Sequence, residues 1–461
     1  MLIIKPVNIL PGSDRNHSPD LPSQVRMERL IMTSISNKLD ITLKTKPYPH
    51  QSEMIQFASE KKKVLFLCDV GIGKSLAAIG SLVQINCEKI LVVTPACVMG
   101  NFQSQINQHS NYGSTILKGS LKKRSETLNN ATANITITNY EALSYLCTQL
   151  RQQRFDAAIF DEIHRVKSYK AKCSRAAQGI AEDIPVRIGL TGTLDAPADI
   201  FGVFKVLDPL VFGTNFYSFS NHYIVTTPIR IGKRKINKVI GSKNIDNLKR
   251  KIAPQSLRFR LDDVADIPSA IEKPVIIEFE GKSRSHYASV DPQLNPLSQA
   301  IELQKRTFCN EKIDMLNNCI ASIQGEKVVI WCRFIDEISK LSKLLNAPFL
   351  TGEVPPNKKD EIRHAFRTSS STNILICQLQ VGVGWEVPEA RHSIFVSLDF
   401  SRTHLIQAKG RNRRITGSNQ RVVYTYLLMK DSIDEAIYEC LLRKDFQAND
   451  FITYQNREVT I

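Results

Sequence analysis

Ten short, nearly unbroken apolar runs, arranged as two sets of five, constrain this chain more than any other feature. The first set is KVLFLCDV, KILVVTPA, ANITITNY, FDAAIFDE and VRIGLTGT, beginning at residue 63. The second, from about 327 to 428, is KVVIWCRF, APFLTGE, TNILICQLQ, HSIFVSLDF and RVVYTYLL. Each run ends in a polar or Gly-rich loop and is followed by a stretch with helical spacing. Apolar residues throughout a run, rather than at alternate positions, predict strands buried on both faces of a parallel sheet. The economical fold is therefore α/β, with two such units in tandem.

The intervening and flanking stretches differ in character. Residues 228–260 carry eleven Lys or Arg against one acidic residue, Asp246, a large part of the +16 net charge of the chain. IRIGKRKINKVI predicts a two-stranded ribbon with a Gly-led basic tip, and NIDNLKRKI a short helix begun by Asn244. The expected organisation is a small N-terminal element over 1–45, a first lobe over 46–212 and a basic insertion over 213–270. A helical lead-in over 271–326 and a second lobe over 327–461 follow. Such a charge excess suits a polyanionic partner. The ten cysteines show no CxxC pair, and most sit within apolar runs, as buried thiols of a reducing compartment do. No run approaches the roughly 20 apolar residues of a membrane span, and the N-terminus lacks the form of a signal peptide. An intracellular, soluble protein is expected.

The chemistry lies at the strand ends. KVLFLCDV runs into GIGKSLAAIGSL, a Gly-rich turn opening a helix, which is where backbone N–H groups and a helix N-terminus receive phosphate oxygens. Gly71 and Gly73 allow close approach, Lys74 reaches the β- and γ-phosphates, and the Ser75 hydroxyl meets Mg²⁺. The first position of the strict phosphate-loop pattern is Cys68 instead of Gly. AAIFDEIH supplies the acidic pair that a nucleotide hydrolase needs at a second strand end: Asp161 to hold Mg²⁺ through its water shell, Glu162 to orient or deprotonate the attacking water. His164 could link this pair to a cleft. The cations after it, Arg165, Lys167, Lys170, Lys172 and Arg175, are equally compatible with a nucleic-acid surface and with a solvated helix.

With these motifs in place the sequence resembles superfamily-two helicase motors carrying the DEAH-like variant DEIH, and among them the Swi/Snf-type DNA translocases, over roughly residues 46–430. The resemblance implies two tandem RecA-like P-loop domains. PYPHQSEMIQFA resembles the adenine-recognition motif, implying Gln51 and Tyr48 at the base. LVVTPACVMG and ITNYEAL resemble strand-contacting motifs, implying Thr94 and Asn139 near a DNA backbone. GLTGTLDAP resembles the motif that couples hydrolysis to domain movement, with Thr191, Gly192 and Thr193, although Leu194 stands where a proline is usual. LRFRLDDVADIPSAIEKPVIIEF has the form of the stretch leading into the second lobe. There, QVGVGWEVPEA resembles the Gly-rich cleft motif, with Gly382, Gly384 and Glu386, and with Trp385 for the usual Leu. QAKGRNRRITG matches the arginine-finger motif, implying roles for Gln407, Arg411 and Arg414. Arg333 is a further expected DNA contact.

The expectation is an ATP- and Mg²⁺-dependent motor on double-stranded or branched DNA with little base specificity, remodelling forks or junctions. The basic insertion, with Arg230, Lys233, Arg234 and Lys235, would be an extra DNA grip or wedge. A motor subunit of a restriction or nuclease assembly, and a nucleic-acid binder switched by ATP, are the alternatives. In every case the arginines and Lys74 can meet only if the two lobes face one another across a cleft.

Overall fold

The computed structural model describes residues 41–442 apart from 193, 195, 232–233, 265–267, 324, 370–371, 382–385 and 414–420, and gives the backbone alone at 229, 231, 234–236, 356–357 and 381. Nearly all of the expected N-terminal element, together with Thr193, Lys233, Gly382, Gly384 and Arg414, therefore lies outside the described residues, as do the side chains of Arg234 and Lys235. Residues 42–45 belong with the first lobe: Lys44 N–H donates to His109 O at 2.7 Å and Leu43 bridges Ser110.

Two parallel sheets form, as the apolar runs require. The first comprises β1 (Lys63–Leu67), β2 (Ile90–Thr94), β3 (Ser114–Ile116), β4 (Ile135–Asn139), β5 (Ala157–Asp161), β6 (Val186–Thr191) and β9 (Ser256–Leu257), in the order β3-β4-β2-β5-β6-β1-β9. Parallel pairing sets Leu67 opposite Thr191, Asp161 opposite Leu190, and Thr94 opposite Asn139. The C-terminal ends of five strands thus share one edge, where ligands of open α/β sheets bind. The second sheet comprises β10 (Ile271–Ile277), β11 (Val328–Cys332), β12 (Phe349–Leu350), β13 (Ile374–Gln378), β14 (His392–Phe395) and β15 (Val423–Met429), in the order β10-β15-β14-β11-β13-β12. Its residues alternate cleanly between two cores. Val329, Trp331, Leu375, Phe395 and Tyr424 line one, and Val328, Ile330, Ile376, Ile394 and Leu427 the other.

Two strands depart from the expected domain map. β9 falls inside the stretch assigned to the insertion, yet it pairs with β1 and completes the edge of the first sheet. β10 opens the stretch expected to be a helical lead-in, yet all seven of its residues pair with β15. Its polar start and Pro274 obscure the strand in the sequence, whereas at a sheet edge a proline costs no ladder bond. Between them the expected ribbon forms from β7 (Ile224–Ile231) and β8 (Arg234–Ser242), antiparallel, followed by the helix Ile245–Ile252 after Asn244. The ribbon rests on a small aromatic core of Phe201, Phe219 and Tyr223.

Buried charge inside each lobe is compensated locally. In the first, the Arg187 guanidinium donates to Glu182, Ile184, Val206 and Leu207 carbonyls, closing the C-terminal ends of two helices. In the second, Lys312 pairs with Asp434 while also donating to Thr307 Oγ1 and Val396 O, both at 3.2 Å.

A candidate nucleotide site between the lobes

The phosphate loop is built by the turn between β1 and the helix Lys74–Ile85. Gly73 caps that helix at φ +81°, and a Cβ there would lie 2.2 Å from Gln51 Nε2. Glycine is therefore required twice, by conformation and by space. Gln51 reaches the loop because Tyr48 N–H donates to its Oε1 at 2.9 Å, leaving Nε2 to donate to Ile72 O at 3.0 Å. His50 Nε2 lies 2.9 Å from the same carbonyl, and the Tyr48 ring stacks at 6.0 Å on the His50 ring. The base-recognition residues implied by the resemblance are thus fastened to the loop. Ser75 is the second residue of the helix, and Lys74 Nζ donates to the Cys68 and Asp69 carbonyls at 2.8 and 2.9 Å.

Asp161 ends β5 and Glu162 follows at φ +51°, a conformation costly for a residue with a Cβ and typical of functional sites. Thr94 Oγ1 donates to Asp161 Oδ2 at 2.7 Å. Burial, then the charge of Glu162 beside it, pushes the Asp161 carboxyl up to about 6. Glu162 moves the other way: burial raises it, but the bond from His164 and the charges of His164, Lys74 and Arg411 outweigh that and hold it below its usual range. One carboxyl of the pair thus carries its charge more readily than the other. His164 Nδ1 lies 3.2 Å from both Glu162 Oε2 and Thr191 Oγ1, connecting the acidic pair to the end of β6.

The geometry gives two of the expected DNA contacts partners within the protein. Thr94 is fully buried with its hydroxyl on Asp161, which it positions. Asn139 is 5% exposed and its amide is spent on Arg124 and Glu141. Both stand at strand ends in β-branched, polar runs, where one-dimensional reading cannot tell an outward hydroxyl or amide from an inward one. Arg333 stacks over the Phe400 ring at 4.1 Å and donates to Gln304 Oε1.

The second lobe faces this site directly. Gln407 Nε2 donates to Glu162 Oε1 at 3.4 Å, and Arg411, 5% exposed, donates from Nε to Gln407 O at 2.8 Å. Glu386 is half-buried next to Val387, whose N–H donates to Arg411 O at 3.0 Å. Arg413 pairs with Asp262 and donates to Pro268 O at 3.4 Å, tying the lobe to the chain that enters it. That entering chain borders the phosphate loop: Asp69 N–H donates to Phe259 O, and Asp69 Oδ2 accepts from Leu261 N–H, both at 3.0 Å. Thr94 was expected near a DNA backbone and not on Asp161, and the 257–262 contacts were not among the expected site residues, because each depends on partners far away in the sequence.

The lobes also approach closely at Gly410, where a Cβ would lie 2.6 Å from Val70 Cγ1. Gly410→Ala is expected to hold the lobes apart and lower steady-state hydrolysis about 10²-fold, since misplacement near 1 Å costs that much. Because the added Cβ would also lie 2.7 Å from Val70 Cβ, Val70→Gly in the same chain should recover part of the loss; no recovery would show that the contact does not set lobe closure.

Oxygen donors suit a hard cation that keeps waters and takes phosphate oxygens, and Ser75 with Asp161 supplies a hydroxyl and a carboxylate of that kind. Among the described residues no helix is long and apolar enough to cross a membrane.

Comparison with known proteins identifies the family. Residues 50–350 match the SNF2-related domain, and residues 311–416 the helicase conserved C-terminal domain. The chain is 23% identical over 444 residues to the SWI/SNF-related matrix-associated actin-dependent regulator of chromatin subfamily A-like protein 1 homolog of Caenorhabditis elegans, covering 89% of this chain and 63% of that protein. It is 24% identical over 435 residues to the DNA annealing helicase and endonuclease ZRANB3 of Bos taurus, covering 87% and 40%. Against the DNA 3'-5' translocase XPB2 of Sulfurisphaera tokodaii it is 21% identical over 400 residues, covering 85% and 83%. Among solved structures, the Sulfolobus solfataricus SWI2/SNF2 ATPase core in complex with dsDNA aligns with a TM-score of 0.44 at 20% identity, over 90% of this chain and 96% of that one. The chain spans 63% and 40% of the first two relatives.

Proposed function

The chain belongs to the SNF2-related domain family, and from that premise we propose that it hydrolyses ATP to move along DNA and remodels branched replication or recombination intermediates. The observation that carries the reading is the seam itself: Gln407 and Arg411 of one lobe converge on Glu162 of the other, beside the loop that holds Lys74. Supporting it are the helicase C-terminal match and relatives whose names describe annealing helicases and a translocase.

In this reading the nucleotide base packs by Tyr48 and Gln51, and the phosphates lie on the N–H groups of Gly71–Lys74 with Lys74 released from the Cys68 and Asp69 carbonyls. Mg²⁺, bound to Ser75 and Asp161, would neutralise phosphate charge. Glu162, ionised and oriented by His164 and Gln407, accepts the proton of the attacking water. Arg411 stabilises the charge that develops on the transferring phosphoryl oxygens. Because His164 also meets Thr191 at the end of β6, a change in Glu162 is felt at the motif expected to couple hydrolysis to lobe movement. Arg414, next in the arginine motif, is assigned the partner role, and Gly384 and Glu386 the cleft wall. Contacts to the phosphate backbone make such movement insensitive to sequence and sensitive to salt.

The ribbon is the proposed grip on a fork or junction: Arg230 is exposed on it, Arg234 and Lys235 begin its second strand, and Lys233 precedes them in the sequence. Two comparisons test the function. Hydrolysis by the isolated chain should be stimulated by duplex DNA, and junctions should be unwound or migrated in preference to linear duplex. Binding without stimulated hydrolysis would favour an ATP-switched binder, and stimulation without action on junctions a motor subunit that needs a partner. Replacing Lys233, Arg234 and Lys235 together by Gln should lower fork affinity several-fold and flatten its salt dependence. An unchanged slope would make the ribbon a passive connection.

A further inference from the structure

One surface contact beside the acidic pair has the form of a place-holder. Glu141 opens the helix Tyr140–Gln152 directly after β4. Its Oε1 accepts from Arg165 Nη1 at 3.0 Å, and its Oε2 accepts from Asn139 Nδ2 at 2.5 Å. Asn139 Oδ1 in turn accepts from Arg124 Nη1 at 2.6 Å. A single carboxylate thus holds one arginine directly and orients the amide that holds a second, two cations against one anion. The pair is open to solvent, Glu141 by 60% and Arg165 by 39%, so water and ions compete for it and exchange is cheap.

Further positive charge crowds the same rim from the other lobe. The Cys97 thiol, raised by burial, is pulled back by Arg165 first and then by Lys359 and Arg363 of the helix Pro356–Thr368. Lys359 and Arg363 are like charges one helical turn apart, and Arg363 is paired with Asp360 at 2.9 Å. Asp360, Cys377 and Cys97 are the other titratable groups acting on Arg363, and Cys97 acts on Lys359.

We infer that Glu141 occupies the position of a DNA backbone phosphate, holding Arg165 until a phosphate takes over that cation. The inference rests on the DNA-translocase reading and adds to it a route from DNA to the catalytic pair. Tyr140, the neighbour of Glu141, donates its hydroxyl to the Asp161 carbonyl at 2.8 Å, and Arg165 lies in the single 3-10 turn that begins right after Glu162. Releasing Glu141 therefore acts on both ends of the segment that carries the two carboxylates. Binding of DNA and the geometry of the acidic pair are coupled, and by linkage the coupling runs both ways.

The test is equilibrium binding of a fixed-length linear duplex by the full chain across a salt series, for the unaltered protein, Glu141→Gln, Arg165→Gln and the double variant. Removing the competing carboxylate while keeping its shape should tighten binding at low salt about three- to tenfold and steepen the slope of log K against log salt by about 0.9, the value of one more phosphate contact. With Arg165→Gln present, Glu141→Gln should have no further effect. Weaker binding or an unmoved slope in Glu141→Gln, or a gain that persists without Arg165, overturns the inference. If the unaltered protein neither binds duplex nor hydrolyses ATP faster with it, the translocase reading falls and this inference with it. Stimulated hydrolysis with an unmoved Glu141→Gln slope removes this inference alone.

Discussion

Asp161→Asn is expected to abolish hydrolysis and, at the same time, to make the first lobe more stable at neutral pH. The loss follows from removing the carboxylate that would hold the cation, a contribution of several kcal/mol to the transition state and hence about 10³-fold or more in rate. The gain follows from the titration of that carboxyl. In the folded chain burial and the adjacent Glu162 keep it protonated up to about 6, whereas in the unfolded chain it ionises in the ordinary carboxylate range. A group whose folded value is raised stabilises the fold below its unfolded value and loses that contribution as the pH climbs through the folded one. At pH 7 the unaltered protein therefore carries the full penalty, on the order of 1–3 kcal/mol. Asparagine cannot ionise, and its carbonyl still accepts from Thr94. The melting temperature of Asp161→Asn should exceed that of the unaltered chain by a few degrees at pH 7–8, and the difference should vanish near pH 4. A variant that melts lower at pH 7.5, or a difference that does not change with pH, contradicts this account.

The second large effect is at Arg411. A guanidinium brought to a transferring phosphoryl group from another element contributes about 10³ to 10⁵ in rate, and the seam places this one where it acts on Glu162 and is braced by Gln407 O. Arg411→Ala should lower kcat by at least 10³-fold with or without DNA, while the affinity for ATP changes little. Because Nε of Arg411 is spent on the Gln407 carbonyl, Arg411→Lys, which lacks the fork, should recover little. A tenfold effect or less would mean that Arg411 only secures the turn, leaving the rate to Arg414.

Much of this site is written locally. The Gly71–Ser75 turn and the Asp161–Glu162 pair each follow an apolar run, and their chemistry depends on the backbone of a few adjacent residues, so the sequence carries it openly. The two sheets are equally plain, because strands covered on both faces leave unbroken apolar runs. What the sequence hides is pairing at a distance. Thr94 looks like any threonine at a strand end until β5 is set beside β2, when its hydroxyl meets Asp161. β9 is two residues long and β10 is broken by Glu272, Lys273 and Pro274, so neither carries a run long enough to be seen. The closeness of Gly410 to Val70, like the hold of Glu141 on Arg165, comes from tertiary placement that no local pattern encodes.

The stitching of the entering chain to the phosphate loop sets a limit on mechanical stroke. Leu261 is anchored on Asp69, and pairing in the second sheet resumes at Ile271, leaving about ten residues of leash that can span no more than roughly 35 Å at full extension. However far the two halves swing open after product leaves, they cannot drift beyond that reach. In the proposed motor, each cycle would begin with the arginine side already tethered within recapture distance of its target.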